Sequence, residues 1–392
     1  MNGDGRTIVR GGWGVFWNFT PGGTSSSKAQ NPPFLQATAL VPTPTTTGIN
    51  LELRDGMPPP PGVDPNRPAS GATRSIFDTN FRDGYAHNFN VNLQRQFGAN
   101  YMVEVAYAGS RGRQMMAKVN PNQAPPVLGV TDSNVNRPMA QLAPALRNIG
   151  QAASIGYVDY NGLLVKFQRR FADNFSLLNS YTWGKAIDIN SDNDGDVSFI
   201  NVYDIERLHR GPADYDVGHT FSSSWIYELP IAREQWYGGW QVNGILLLRS
   251  GLPFTVTQNQ GVQSTGTGNR PNRICDGRLD NPTIDRWFDA SCFVSPTELT
   301  ATYGDSGRNI LRGPGQFNID MSLIKRTRIG KLDTEFRFEA FNVLNHAQFA
   351  PRPNSNINSP GVGTITSMLP NPSCALCGTT ERQIQLGVKV RF

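Results

Sequence analysis

The residues able to hold a metal or move a proton fall in a few short runs. Between Asn190 and Asp196 side-chain oxygens recur at alternate positions, and Gly195 supplies the sharp turn of a calcium loop. Asp192, Asp194 and Asp196 are therefore the candidate calcium ligands. The pattern departs from an EF-hand at its twelfth position, where Asn201 stands in place of glutamate, and its flanks read as strand and loop. A solvated acidic loop is the competing reading. Four cysteines, Cys275, Cys292, Cys374 and Cys377, offer a second constellation. Outside the cytosol they favour disulfides, and 275–292 with 374–377 is the most local of three connectivities. Cys374 and Cys377 also have zinc-site spacing, which the other pair does not match.

The remaining candidates are thinner. Gly304 to Gly307 resembles the nucleophile stretch of trypsin-like proteases but lacks its continuation. The four histidines, at 87, 209, 219 and 346, sit in no general-base motif. Asp214, Asp216 and His219 cluster where a strand leaves a loop, and read as a hydrogen-bonded polar rim. The paired glycines at 266/268 and 361/363 do not join a strand to a helix, so they make no phosphate loop. The expectation is a protein that is not an enzyme and has no cofactor.

The elements that must position these runs are strands. In residues 85–97 Tyr85, Phe89, Val91, Leu93 and Phe97 alternate with Asn88, Asn90, Asn92, Gln94 and Gln96. The same two-residue period recurs in 6–17, 101–107, 162–171, 175–183, 220–229, 239–248, 317–323, 332–340 and 382–392, which makes about ten strands. Composition agrees. Gly 40 and Pro 28 in 392 residues exceed their usual combined share of roughly 12%. Charged residues are only 17%, so the chain is polar without being highly charged. The net charge of +5 is spread out, and no Lys/Arg run interleaves with aromatics. That argues against nucleic acid as a partner.

The connections alternate in length. Short ones fall at 98–100, 172–174, 230–238 and 330–331. Long, polar ones run over 20–84, 110–156, 186–216, 259–315 and 345–381. Short turns on one side and long loops on the other describe an outer-membrane barrel, with periplasmic turns and extracellular loops. An even strand count then returns the chain to the periplasmic rim, where Phe392 lies. Aromatics gather at both strand ends: Phe97, Tyr101, Phe171, Phe175, Trp236, Tyr237 and Trp240 by the turns, Trp13, Trp17, Tyr85, Tyr107, Tyr157 and Trp183 by the loops. A water-soluble β-sandwich would place them mid-strand. No stretch reaches the ~18 apolar residues of a membrane helix, and MNGDGRTIVRGG lacks the basic leader and apolar core of a signal peptide. The fold class expected is all-β, an antiparallel transmembrane β-barrel segment in the cell outer membrane, with membrane lipid as a partner. In the last strand Ile384, Leu386, Val388 and Val390 would face lipid, and Gln383, Gln385, Lys389 and Arg391 the lumen.

Six stretches in order also resemble a known family: 6–18, 88–112, 159–188, 210–230, 239–257 and 336–349 are similar to strand and strand-end motifs of the TonB-dependent, Oar-like outer-membrane β-barrels. The resemblance covers nearly the whole chain and implies import of a bulky nutrient, driven by a periplasmic TonB complex through a plug. It further implies a signal peptide, a plug, a TonB box and a barrel of about 22 strands. The expectation is that 1–392 is the C-terminal part of such a barrel. An unknown extracellular ligand would meet the long loops and the inner face, where Glu335, Arg337, Glu339, Lys389 and Arg391 project; no single substrate contact is named. Two alternatives remain open: a self-contained ten-stranded barrel acting as adhesin or passive pore, and a soluble carbohydrate-binding β-sandwich. The first predicts that strand 6–18 pairs with strand 382–392.

Overall fold

The computed structural model describes residues 5–19, 31, 44–45, 48–49, 72–127, 129–130, 132–144, 146–191, 199–231, 235–262, 265–296, 303–369 and 381–392. Ten long strands form one antiparallel meander, each paired with its neighbours in sequence. They are β1 (Thr7–Asn18), β2 (Gly84–Phe97), β3 (Tyr101–Val119), β4 (Leu146–Ala172) and β5 (Phe175–Asp188). β6 (His219–Glu228), β7 (Trp240–Arg249), β8 (Gln316–Ile329), β9 (Leu332–Phe341) and β10 (Gln383–Arg391) follow. The short turns are where alternation placed them. Ala172 faces Phe175 across Asp173 and Asn174, whose positive φ values of 48° and 64° give the twist that a two-residue hairpin needs.

Pleating makes the two faces chemically different. The register sets Val105 beside Val165, and Val165 beside Tyr181, on the outer face. On the inner face Glu104 opposes both Gln94 and Lys166. Outer side chains remain uncovered: Trp13 is 69% exposed, Leu386 76% and Val388 65%. Among the described residues no second sheet packs on them, so the β-sandwich alternative does not hold. A surface this apolar is stable against hydrocarbon, not water. Two close approaches tighten the outer face. Phe89 lies over Gly109 and Trp225 over Gly244, where an added Cβ would come within 2.2 Å and 2.0 Å of the rings. The rings thus cover backbone that a side chain would otherwise shield.

Outward cations sit next to aromatic rings near the short turns. Arg95 lies 5.5 Å from the Phe97 ring, Arg169 5.7 Å from Tyr101 and 5.3 Å from Phe175, and Lys325 5.3 Å from Trp240. Lys325 also donates to the Trp236 carbonyl at 2.7 Å. Long stems of this kind let a charge reach the polar boundary of the bilayer.

The structure corrects two expectations and decides against one alternative. β3 runs on to Val119 and β4 begins at Leu146, so much of the expected loop 110–156 is strand. A further strand, Ala72–Phe77, pairs parallel with the start of β4. Both lie on the loop side, where water or other loops touch each face and alternation has no cause. Finally, β1 pairs only with β2 and β10 only with β9 among the described residues. The sheet is open, which is not the closed ten-stranded cylinder of the self-contained alternative.

Candidate functional site

Among the described residues the larger of two buried apolar clusters lies outside the sheet. Phe254, Val256, Phe288, Cys292, Phe293 and Leu311 pack together in the connection between β7 and β8. Paired short strands, Pro253–Phe254 with Leu311–Arg312 and Asn272–Arg273 with Phe293–Val294, frame it. A disulfide joins Cys275 to Cys292. Cys374 and Cys377 lie outside the described residues, as do Asp192, Asp194 and Asp196.

Buried polar side chains join this connection to the one between β5 and β6, which carries a short helix, α1 (Ile205–His209). Arg308 binds the carboxylate of Asp188, the last residue of β5, and reaches Asp214 Oδ1 at 3.2 Å and the His209 carbonyl at 3.3 Å. Ser191 Oγ accepts from Arg308 at 2.5 Å and donates to Asp188 at 2.6 Å. Asn309 donates to Asp214 at 2.6 Å and to the Pro212 carbonyl at 2.7 Å. Arg312 pairs with Asp216, which also accepts the Ala186 amide at 2.7 Å. Gln123, from the β3–β4 connection, donates to the Ile200 carbonyl at 2.6 Å and accepts the Val202 amide at 2.8 Å. Three connections therefore form one body, the loop head.

The rim residues divide. Asp214 and Asp216 turn into this network, whereas His219 bonds Tyr181 through Nδ1 at 2.8 Å. Ser306, the serine of the protease-like stretch, is buried and its carbonyl accepts from Arg270 at 3.4 Å. His209 Nε2 accepts the Ile200 amide at 3.0 Å, which requires a neutral ring. Burial first, then the charges of Arg270 and Arg308, push its pKa down to about 3. An unfolded histidine titrates near about 6.5. Between those values the unfolded chain holds more protons, so the head loses stability as pH falls through that window. At a pH of about 5 the expected loss is about 2 kcal/mol. Hydrogen exchange of amides 199–210 measures it, and His209→Gln should flatten the slope. An unchanged slope in that variant removes His209 as its source.

A cavity of about 350 Å³ opens in the head, lined by His209, Asp214, Phe254, Arg270, Arg308 and Arg352 among others. A second, of about 460 Å³, lies at the turn end of β8–β10 between Arg326, Arg328, Asp333, Glu335, Lys389 and Arg391. Here the inward charges expected from alternation meet. Glu335 accepts from Arg326 at 2.9 Å and from Arg337 at 2.5 Å, and stands opposite Lys389 in the strand register. Glu339 lies opposite Gln385 and Ser322 on the same face. Sequence reasoning missed Arg270, Arg308 and Arg352. The one hint is the pairing of arginine with asparagine at 269–270 and 308–309 inside an otherwise aperiodic loop.

A family model described as the outer membrane beta barrel domain matches residues 1–385. The chain belongs to the outer membrane β-barrel family. As a member of that family it resides in the outer membrane, with the apolar face of its sheet against lipid. Solved structures similar to this outer-membrane barrel include the outer membrane transporter YddB from Escherichia coli, at 10% identity and a TM-score of 0.45, covering 81% of this chain and 34% of that one. The ferric-catecholate import receptor Fiu from E. coli K12 matches at 11% identity and 0.41, covering 98% and 32%. The FrpB iron transporter from Neisseria meningitidis matches at 13% and 0.40, covering 81% and 32%. The barrel chain spans about a third of the length of each. No curated protein matches it.

Proposed function

We propose that this outer-membrane barrel is part of the wall of a TonB-dependent, Oar-like transporter that takes up a nutrient across the outer membrane. The observation that carries the reading is the open sheet. An unpaired strand edge in hydrocarbon leaves a row of amide and carbonyl groups with no partner, each costing several kcal/mol. Among the described residues β1 and β10 both present such an edge, so further strands are needed to close a wall around a lumen. The polar inner face and the loop head fit a route by which a solute leaves the medium. The driving partner in this reading is a periplasmic TonB complex acting through a plug. The protein acts by binding and passage, not by catalysis.

Disulfide trapping tests it. Single cysteines placed along β1 are combined with single cysteines along β10, in outer membranes containing the protein. The transporter wall predicts no β1–β10 cross-link within one chain at any register. A ladder of such links would mean that ten strands close alone, and the passive-pore or adhesin reading would replace this one.

A further inference from the structure

We propose that the loop-head cavity binds the oxyanion group, carboxylate or phosphate, of an extracellular solute, with Arg270 and Arg308 at its base and Arg352 at its rim. The volume, about 350 Å³, falls within the ordinary range for small-ligand pockets, roughly 300–1,000 Å³. Its charge is unbalanced. Among the described residues its three guanidiniums meet two carboxylates, Asp214 in the lining and Asp188 behind Arg308, and His209 is held neutral.

Arg270 is the least compensated of the three. It is 4% exposed, and it donates to the carbonyls of Leu208 and Ser306. No carboxylate among the described residues comes within ion-pairing distance of it. Burial, with Arg308 adding to it, pulls its pKa down to about 10, so the guanidinium remains charged. A buried charge without a counter-ion is costly, and an oxyanion in the cavity offsets that cost. Arg308 has Asp188 and Asp214 beside it, and Arg352, which is exposed, donates to the Asp214 carbonyl at 3.3 Å. Guanidiniums suit this ligand because their planar forks match the oxygens of carboxylate and phosphate. Phe254 adds an apolar wall for the rest of the solute.

The inference deepens the transporter reading and rests on it only for where the solute goes next. Binding itself is separable: a protein that cross-links into a closed ten-stranded barrel yet binds anions would lose the transporter and keep the pocket. Titration calorimetry on the full chain in detergent, at neutral pH and constant chloride, tests it with inorganic phosphate and, separately, succinate. Saturable binding of at least one is expected, and the probe that saturates identifies the group. Arg352→Gln, at an exposed position that leaves the buried network in place, should weaken binding at least tenfold. Arg286→Gln, elsewhere on the head, should not. No saturable binding of either probe, or equal weakening by both variants, overturns the proposal. So does binding that emerges only when Asp192, Asp194 and Asp196 are all changed to asparagine, because the cations would then already be paired.

Discussion

Arg308→Gln is expected to loosen the loop head by about 3–5 kcal/mol, the usual cost of removing one partner from a buried ion pair. Asp188 is fully buried, and the loss of Arg308 leaves its carboxylate with Ser191 as the remaining side-chain partner described for it. The same side chain holds Ser191, the His209 carbonyl and Asp214, so four attachments to the β5 end and the β5–β6 connection go together. Hydrogen exchange at 186–189 and 306–312 should rise by about two to four orders of magnitude, while the strands below keep their protection. Adding Asp188→Asn should recover part of the loss, because it removes the orphaned charge. Unchanged exchange in the single variant would mean that the pair does not hold the head together.

The second large effect concerns the sheet. Val165→Arg should cost about 2–4 kcal/mol, as for a cation near the bilayer midplane, and Leu164→Arg much less. A strand tilted by roughly 40° climbs about 2.5 Å per residue, so an apolar band of about 25 Å spans about ten residues. Counted upward from Tyr101 at the turn, Val105 and its partner Val165 lie in the middle of that band. Leu164 is one residue away but on the other face, beside Ala106 and Thr182. Denaturant titration of folding into bilayers measures both variants. Equal losses would show that the two faces do not meet different solvents.

What the sequence discloses follows from which solvent touches which residue. Where lipid lies on one side and a watery lumen on the other, alternation is forced, and 85–97 and 332–340 read almost as they fold, as Gly84–Phe97 and Leu332–Phe341. Above the bilayer that constraint lapses. Ala72–Phe77 and the upper parts of β3 and β4 carry no period and were not legible. Neither was the loop head, whose apolar cluster draws on Phe254, Phe288 and Leu311 at irregular intervals. The Arg308–Asp188 pair spans 120 positions, a separation that no local pattern records. The cavity arginines escaped for the same reason. Each belongs to a different turn of chain, and only tertiary structure brings them together.

The head draws its parts from segments that the strands hold apart in sequence. Gln123 must find Ile200, and Asp188 must find Arg308, before any of them is shielded from water. Bringing such distant stretches together is entropically slow unless something else has first shortened the path. Zipping the hairpins does this, since it delivers the ends of β3, β5 and β7 to one rim. The ordering makes the head a late event in biogenesis. A protease added from outside the cell would therefore distinguish finished molecules from stalled ones by whether the buried stretch around Arg308 resists cutting.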